Sequence, residues 1–367
     1  MREEDRLSGL GRASWGVGEA EWCDWRWQLR HSGEAWGRLS ACGLGGGGRE
    51  EAQRRYPAQC TPYYLSLAAS ASPDDPVLRQ VLPDPAELSD DGEEDPFAEE
   101  AHCGAPRLVH RYRDRALFLT TGDCAAHCRH CMRKRNWGEL SGAPSAEALE
   151  AAAGYVRSHP EIREILVSGG DPLTLPDDEL GRVLSAFAAI PHVETLRVGS
   201  RLPAVLPQRL TEGLAAVLGG VGKAVFLACH FNHPRELTEE ASAGVLRLLR
   251  AGVPSVCQSV LLRGVNDDPE TLRELLTGLL RIRVKPYCLF HGDPIRGTMH
   301  FRTGIARGLE LMGALRGHVS GLAMPAFAFD LPQGGGKVRL EPGDAPRRAP
   351  DGAPVFRSFE GRDIPYR

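Results

Sequence analysis

Between residues 108 and 332 the chain alternates short β-rich runs with helix-compatible segments, and nothing else in it constrains the fold as much. The β-rich runs lie at 116–121, 164–168, 194–199, 224–230, 256–262, 284–290 and 324–330. Helix-compatible stretches start at Ser145 and continue at roughly 176–189, 207–218, 236–251, 267–281 and 303–316. The first opens on a serine and carries acids in its first turn, as a helix start should. Strand–helix repetition at this period predicts βα units and a parallel sheet. The expected fold is therefore α/β, a partial barrel of (β/α)6 type, with functional residues at the C-terminal ends of the strands.

Residues 1–105 read as a mostly helical N-terminal extension, 106–332 as the barrel core and 333–367 as a short C-terminal segment. Within the extension, Trp22–Gln28 looks like an amphipathic anchor. Gly43–Gly48 reads as a flexible break, and Ser89–Asp95 as an acidic, solvated surface connector.

Bulk properties narrow the function. A net charge of −4 over 367 residues gives no electrostatic case for nucleic acid. No apolar run approaches the roughly 18 residues that would mark a membrane span. The charged start, Met1-Arg2-Glu3-Glu4-Asp5-Arg6, has no apolar region of a signal peptide. Ten cysteines in so long a chain read as reduced thiols. A cytoplasmic enzyme is expected.

Three of those thiols, Cys124, Cys128 and Cys131, have the spacing CxxxCxxC directly after the first core strand. Three thiolates on one loop hold three corners of a four-iron cube and leave the fourth iron open to a ligand, whereas electron-transfer clusters take four cysteines. A zinc site or free buried thiols is the competing reading. Downstream, Ser168-Gly169-Gly170-Asp171 closes a second strand: glycines let backbone approach a ligand, and the acid suits an ammonium group. A tight βα turn with a capping Asp would use the same residues. Near the end, Gly334-Gly335-Gly336-Lys337 gives a lysine reach and room to form a Schiff base with an aldehyde cofactor. The bland alternative is a solvated lysine on a loop. A Walker phosphate loop does not fit, because Val338 follows the lysine.

With its cluster loop and basic tail Arg133-Lys134-Arg135, the chain resembles the radical S-adenosylmethionine (SAM) enzymes. Further blocks make the likeness narrower: Thr61–Leu67, His110–Arg115, Gly199–Pro203, His230–Pro234, Gln258–Asp267, His300–Thr303 and the Gly-Gly-Gly-Lys segment. Together they resemble the lysine 2,3-aminomutase family, from about Trp25 to Tyr366.

The resemblance implies three cofactors: a [4Fe–4S] cluster on Cys124, Cys128 and Cys131, SAM, and pyridoxal 5′-phosphate (PLP) on Lys337. It implies that Arg111 and Arg115 hold the PLP phosphate, and that His130, Ser168, Gly169, Gly170, Asp171, His230 and Gln258 line the SAM site. Arg133 would hold the substrate α-carboxylate. Asp293 and Asp330 would hold the distal ammonium of a small cationic amino acid, since paired carboxylates select a cation and repel an acid. The implied reaction moves the α-amino group of L-lysine to C3, through a 5′-deoxyadenosyl radical and an azacyclopropyl radical, to give β-lysine. An electron donor such as flavodoxin or ferredoxin and a homo-oligomeric state are also implied, with no nucleic acid or membrane partner.

The chain departs from the family pattern at several positions. Gln333 replaces a glycine, Cys257 an asparagine, and Arg296 adds a positive charge close in sequence to Asp293. Asp268 stands where longer members have a zinc-ligating cysteine, so no structural zinc is expected. Two neighbouring readings are an arginine aminomutase and the β-lysine-forming enzyme of elongation-factor modification. A reading from another class is a non-catalytic iron–sulfur or zinc-binding protein.

Overall fold

The computed structural model describes residues 3–333, 335–341, 347–348, 354–357 and 362–365. Among them, ten strands form one sheet in chain order: β1 (Cys103–Ala105), β2 (Leu108–Tyr112), β3 (Arg115–Thr121), β4 (Glu164–Gly169), β5 (Thr195–Ser200), β6 (Ala224–Cys229), β7 (Ser255–Leu261), β8 (Val284–His291), β9 (Ala326–Leu331) and β10 (Gly336–Leu340). From β3 to β9 every neighbouring pair is parallel. β1 and β2 extend one edge antiparallel, and β10 folds back antiparallel on β9 at the other. The expected α/β fold is what the chain adopts: six βα steps, with a hairpin at each edge in place of closure. A second sheet of three short strands, Arg347–Arg348, Pro354–Arg357 and Asp363–Pro365, lies beyond β10 in the chain.

Alternation within each strand divides two environments. In β4, Ile165 and Val167 are fully buried, whereas Leu166 and Ser168 face the central cavity. The helix Asp177–Ala188 buries Leu180, Val183, Leu184 and Phe187 on one stripe, and Phe187 meets Phe118 of β3 edge-on at 5.0 Å. Each such side chain withdrawn from water contributes about 1.5–3 kcal/mol. The helix starts follow their sequence signals. Ser145, Thr238 and Asp268 accept from the backbone N–H groups of Ala148, Ala241 and Thr271. Asp268 is thus a helix cap.

The N-terminal part is mostly short helices, as expected. Trp22 and Trp27 are buried, and the buried Gln28 beside them bridges Trp22 O to Tyr63 N. Within Gly43–Gly48, Gly43, Gly47 and Gly48 take positive φ and Leu44 is buried. The acidic run is exposed at Ser89, Asp91, Glu93 and Glu94, as a surface connector should be, but it is also a strap. Glu93 N donates to Pro294 O at 2.8 Å, Arg296 N to Glu93 O at 2.9 Å, and Met299 N to Asp90 Oδ2 at 3.1 Å. The strap is therefore paired along the segment that follows β8.

Candidate active site

One cavity of about 710 Å³ runs through the open barrel, from Arg115 and Glu164 at the starts of β3 and β4 to the C-terminal ends of the strands, and residues of β2 through β10 line it. That volume lies within the range of small-molecule sites.

At one end stands the cysteine loop. Cys128 Sγ accepts from Arg201 Nη1 at 2.8 Å, and Cys131 Sγ from Arg133 N at 3.4 Å. Burial, then the nearby Asp171 and the other two thiols, push Cys124 well up; a coordinating metal ion would reverse this, because bound thiols are deprotonated. Among the described residues, no His, Cys, Asp or Glu trio is drawn together tightly enough for a single ion.

The loop is held from outside the barrel by Lys134 of the basic tail and by residues the sequence did not single out. Arg129 and Glu87 are both fully buried and paired, and Lys134 Nζ reaches Glu87 Oε2 at 2.6 Å and Gly297 O at 2.7 Å. Gln59 Nε2 donates to Cys124 O at 2.6 Å, and His127 N to Gln59 O at 2.8 Å. The N-terminal extension thus fastens the cluster loop.

Beside the cysteines, His130 lies 5.4 Å from the His230 ring and edge-on to Phe301 at 5.9 Å. Burial, then the Arg201 charge, hold both rings neutral, His230 at about 4. His130 Nδ1 is buried with no partner among the described residues, a polar atom left for a ligand. Ser168, Gly169, Gly170 and Gln258 line the same cavity. Gly169 has φ 126, and a Cβ there would lie 2.5 Å from Thr121 O, so glycine is required. Asp171 also lines the cavity, but its carboxylate accepts from Arg201 N at 2.7 Å, Ser200 Oγ at 3.0 Å and Leu173 N at 3.1 Å. It ties the end of β4 to the end of β5, which is the capping alternative raised above; burial brings it to about 6.

At the other end the β9–β10 hairpin sets Lys337 opposite Asp330, in a strand rather than on the loop that the glycine run suggested. Lys337 Nζ is 2.5 Å from Asp330 Oδ2 and 3.9 Å from the centre of the Phe290 ring. Arg111 on β2 donates to Asp330 Oδ1 at 2.7 Å. Arg115 stacks over Tyr112 at 3.8 Å and pairs with Asp114 at 2.8 Å. Burial raises Asp330, but Lys337 and Arg111 outweigh it and hold the carboxyl below its usual range. Asp293 differs: burial and the neighbouring Asp330 charge push it up to about 7. Gln333, in the turn, takes φ 53, where the missing glycine would sit more easily, and its N–H is held by Pro96 O at 2.6 Å. Such a conformation costs a non-glycine residue about 1–2 kcal/mol.

Two arginines change meaning in three dimensions. Arg296 donates to Glu94 Oε1 at 3.0 Å and Gly92 O at 3.2 Å and is half-exposed, so its charge is spent on the strap. Arg133 is gripped by Glu99, Nη2 to Oε1 at 2.6 Å and Nε to Oε2 at 3.2 Å. Glu99 carried no sequence signal, since its partner lies 34 residues away.

Comparison with known proteins decides the family. A profile of the radical SAM superfamily matches residues 118–276, and one described as Lysine-2,3-aminomutase matches 312–367. The L-lysine 2,3-aminomutase of Clostridium subterminale is 41% identical over 364 residues, covering 94% of this chain and 84% of that one. The chain belongs to the lysine 2,3-aminomutase family. A putative L-lysine 2,3-aminomutase of Aquifex aeolicus is 44% identical over 323 residues, covering 87% of this chain and 86% of that one. The glutamate 2,3-aminomutase of Clostridioides difficile is 41% identical over 305 residues, covering 83% of this chain and 72% of that one. Membership makes the protein an isomerase with a [4Fe–4S] cluster, SAM and PLP, acting on an amino acid and needing a reductant. Among the described residues, no helix is long and apolar enough to cross a membrane.

One prediction arises from Asp293. A carboxyl at about 7 is largely protonated at pH 6 and ionised at pH 8. A cation bound beside it would pull its pKa down, so binding near pH 7 should release a proton. The KM of a cationic substrate should therefore fall as pH rises through 7, by about fivefold between pH 6 and 8, and Asp293→Asn should flatten the profile. Calorimetry in buffers of different ionisation enthalpy checks this. Proton uptake, or an unchanged profile in the variant, would remove Asp293 from the pocket.

Proposed function

We propose that this enzyme is an L-lysine 2,3-aminomutase, moving the α-amino group of L-lysine to C3 to give β-lysine. The observation that carries the lysine reading is Asp330. In this structure the Lys337 ammonium rests on it, with Asp293 near by. Lys337 ends in the same four-carbon amine that a lysine substrate would present. The pocket therefore already holds the group it is proposed to recognise.

Cys124, Cys128 and Cys131 would hold the cluster, with His130, His230, Gln258 and the Ser168–Asp171 strand end around SAM. Lys337 would carry PLP, and Arg111 and Arg115 would hold its phosphate, to which guanidinium forks are suited. When bound, these groups supply radical generation and an electron sink. The chain's own residues do the rest. Arg133, steadied by Glu99, would orient the α-carboxylate. Asp330 and Asp293 would fix the far end of the side chain, so that C3 faces SAM. The barrel wall would exclude water from the reacting centre. A flavodoxin or ferredoxin donor, a cytoplasmic setting and a homo-oligomeric assembly belong to the same reading. So does the division into an N-terminal extension, a core and a C-terminal segment bearing the PLP lysine.

Asp330→Asn tests the pocket. It should raise the KM for lysine by about 10- to 100-fold, the loss of one charge-assisted contact. SAM cleavage without substrate should stay unchanged. Equal losses in both, or a lysine KM that does not move, would take Asp330 out of substrate recognition.

A further inference from the structure

Arg201, just past β5, reaches across the cavity mouth to the cluster loop. Its Nη1 donates to Cys128 Sγ at 2.8 Å, 73 residues away in sequence. Nη2 donates to Gln80 Oε1 at 2.6 Å, and to Tyr64 OH and Glu236 Oε1, both at 3.1 Å. The side chain is 7% exposed and that of Glu236 fully buried. Taking such a charge out of water is costly unless something uses it.

A structural ion pair alone does not account for the arrangement. Glu236 Oε1 already accepts from Tyr64 OH at 2.6 Å and Gln80 Nε2 at 3.1 Å. Its Oε2 accepts from Asn232 N at 2.6 Å and His233 N at 3.2 Å. The carboxylate is served without Nη1, which is turned to the sulfur at 2.8 Å and lies further, at 3.4 Å, from His130 Nε2. Hydrogen bonds to cluster sulfurs and nearby charge are the levers by which a protein sets a cluster's potential.

We propose that Arg201 is a positioning residue that locks the Cys128 corner and raises the reduction potential of the cluster, with Glu236 setting how much of its charge the cluster feels. The proposal rests on the three cysteines being cluster ligands. The step concerned is the transfer of one electron from the external reductant to the oxidised [4Fe–4S]²⁺ cluster, giving [4Fe–4S]⁺. No bond is made or broken in it. The added charge falls partly on the sulfurs, so a buried N–H and a cation stabilise the reduced form more than the oxidised one.

The test is a redox titration of the reconstituted, iron-assayed protein, followed by electron paramagnetic resonance. In Arg201→Gln the ratio of reduced to oxidised cluster at a fixed potential should fall on the order of tenfold, a midpoint lower by about 59 mV. Arg201→Lys, which keeps the charge but not the planar fork, should fall between. Glu236→Gln should move the midpoint the other way. Midpoints that do not move would overturn the proposal. Should a variant load no iron, the wild-type protein decides. Pulsed resonance on protein grown with arginine carrying heavy nitrogen in its guanidino group should show that nitrogen coupled to the reduced cluster, and no coupling would overturn the contact. A wild-type protein that assembles no [4Fe–4S] cluster would overturn the cysteine assignment itself, and this proposal with it.

Discussion

Lys337→Ala is expected to abolish turnover, by at least about a thousandfold, and to lose the absorbance of bound PLP while the iron–sulfur spectrum stays intact. Two roles of the side chain have to be separated in that variant. Lys337 is the nucleophilic amine, and it is also the cation on Asp330 at 2.5 Å. Removing it leaves Asp330 with Arg111 and the Tyr112 hydroxyl. Lys337→Arg keeps a cation beside Asp330 but cannot form a Schiff base. If the covalent role dominates, the arginine variant is as inactive as the alanine one and equally without bound PLP. Spectra after desalting, with iron assayed in parallel, check both. A variant that retained the PLP band and turnover would place the cofactor elsewhere.

Glu87→Gln is expected to have the largest effect on stability. Glu87, Arg129 and Lys134 are shielded from water together, beneath the cluster loop. Loss of the carboxylate leaves Arg129 buried and charged without its partner, and breaking a buried pair in this way costs about 3–5 kcal/mol. Burial already lowers Lys134 to about 8, against the opposing pull of Glu87. Without Glu87 the Lys134 pKa would fall further, which softens the loss but does not cancel it. Glu150→Gln is the control: its partner Arg157 is about half exposed, and surface pairs contribute little. Thermal melts of both variants, with iron content after reconstitution, give the comparison. Because the triad anchors the loop carrying Cys128 and Cys131, Glu87→Gln should also load less iron. A melt unchanged from wild type would mean that the loop is held by other contacts.

The barrel was legible because each βα unit carries its own signal. An apolar run of strand length, then a capped amphipathic segment, repeats through the core, and observed strand ends differ from those expected by only a residue or two. The edge hairpins were not legible. β1 has three residues, and β10 follows a glycine run that looks like a loop until Lys337 is paired with Asp330. The strap was half legible. Charge density at Ser89–Asp95 reads as solvated, and the run is largely exposed, but its partners in 294–299 lie about 200 positions on and cannot be seen from composition. The same distance resolves the concern over Arg296, whose charge is taken up by Glu94.

Site residues were visible where a motif announces a chemistry, as in the cysteine triplet, the Gly-Gly-Asp turn and the lysine after glycines. Residues that act on those groups were not. Arg201 stands inside a block that marks the family, yet no local pattern says that its guanidinium meets Cys128. Glu99 and Glu87 lie in the extension and meet the cluster tail only in the fold. Asp171, read as a ligand contact, lines the cavity, and no local pattern says that its carboxylate also accepts from Ser200 and from the backbone N–H groups of Leu173 and Arg201.

The most direct test of the account is an anaerobic assay of the reconstituted protein with SAM, PLP and dithionite. Lysine, arginine and glutamate would be offered separately and the β-amino acids resolved by mass spectrometry. The paired acids at Asp293 and Asp330 predict β-lysine as the preferred product, with glutamate the poorest substrate. Preference for glutamate, or no β-amino acid from lysine by protein shown to hold its cluster and PLP, would contradict it.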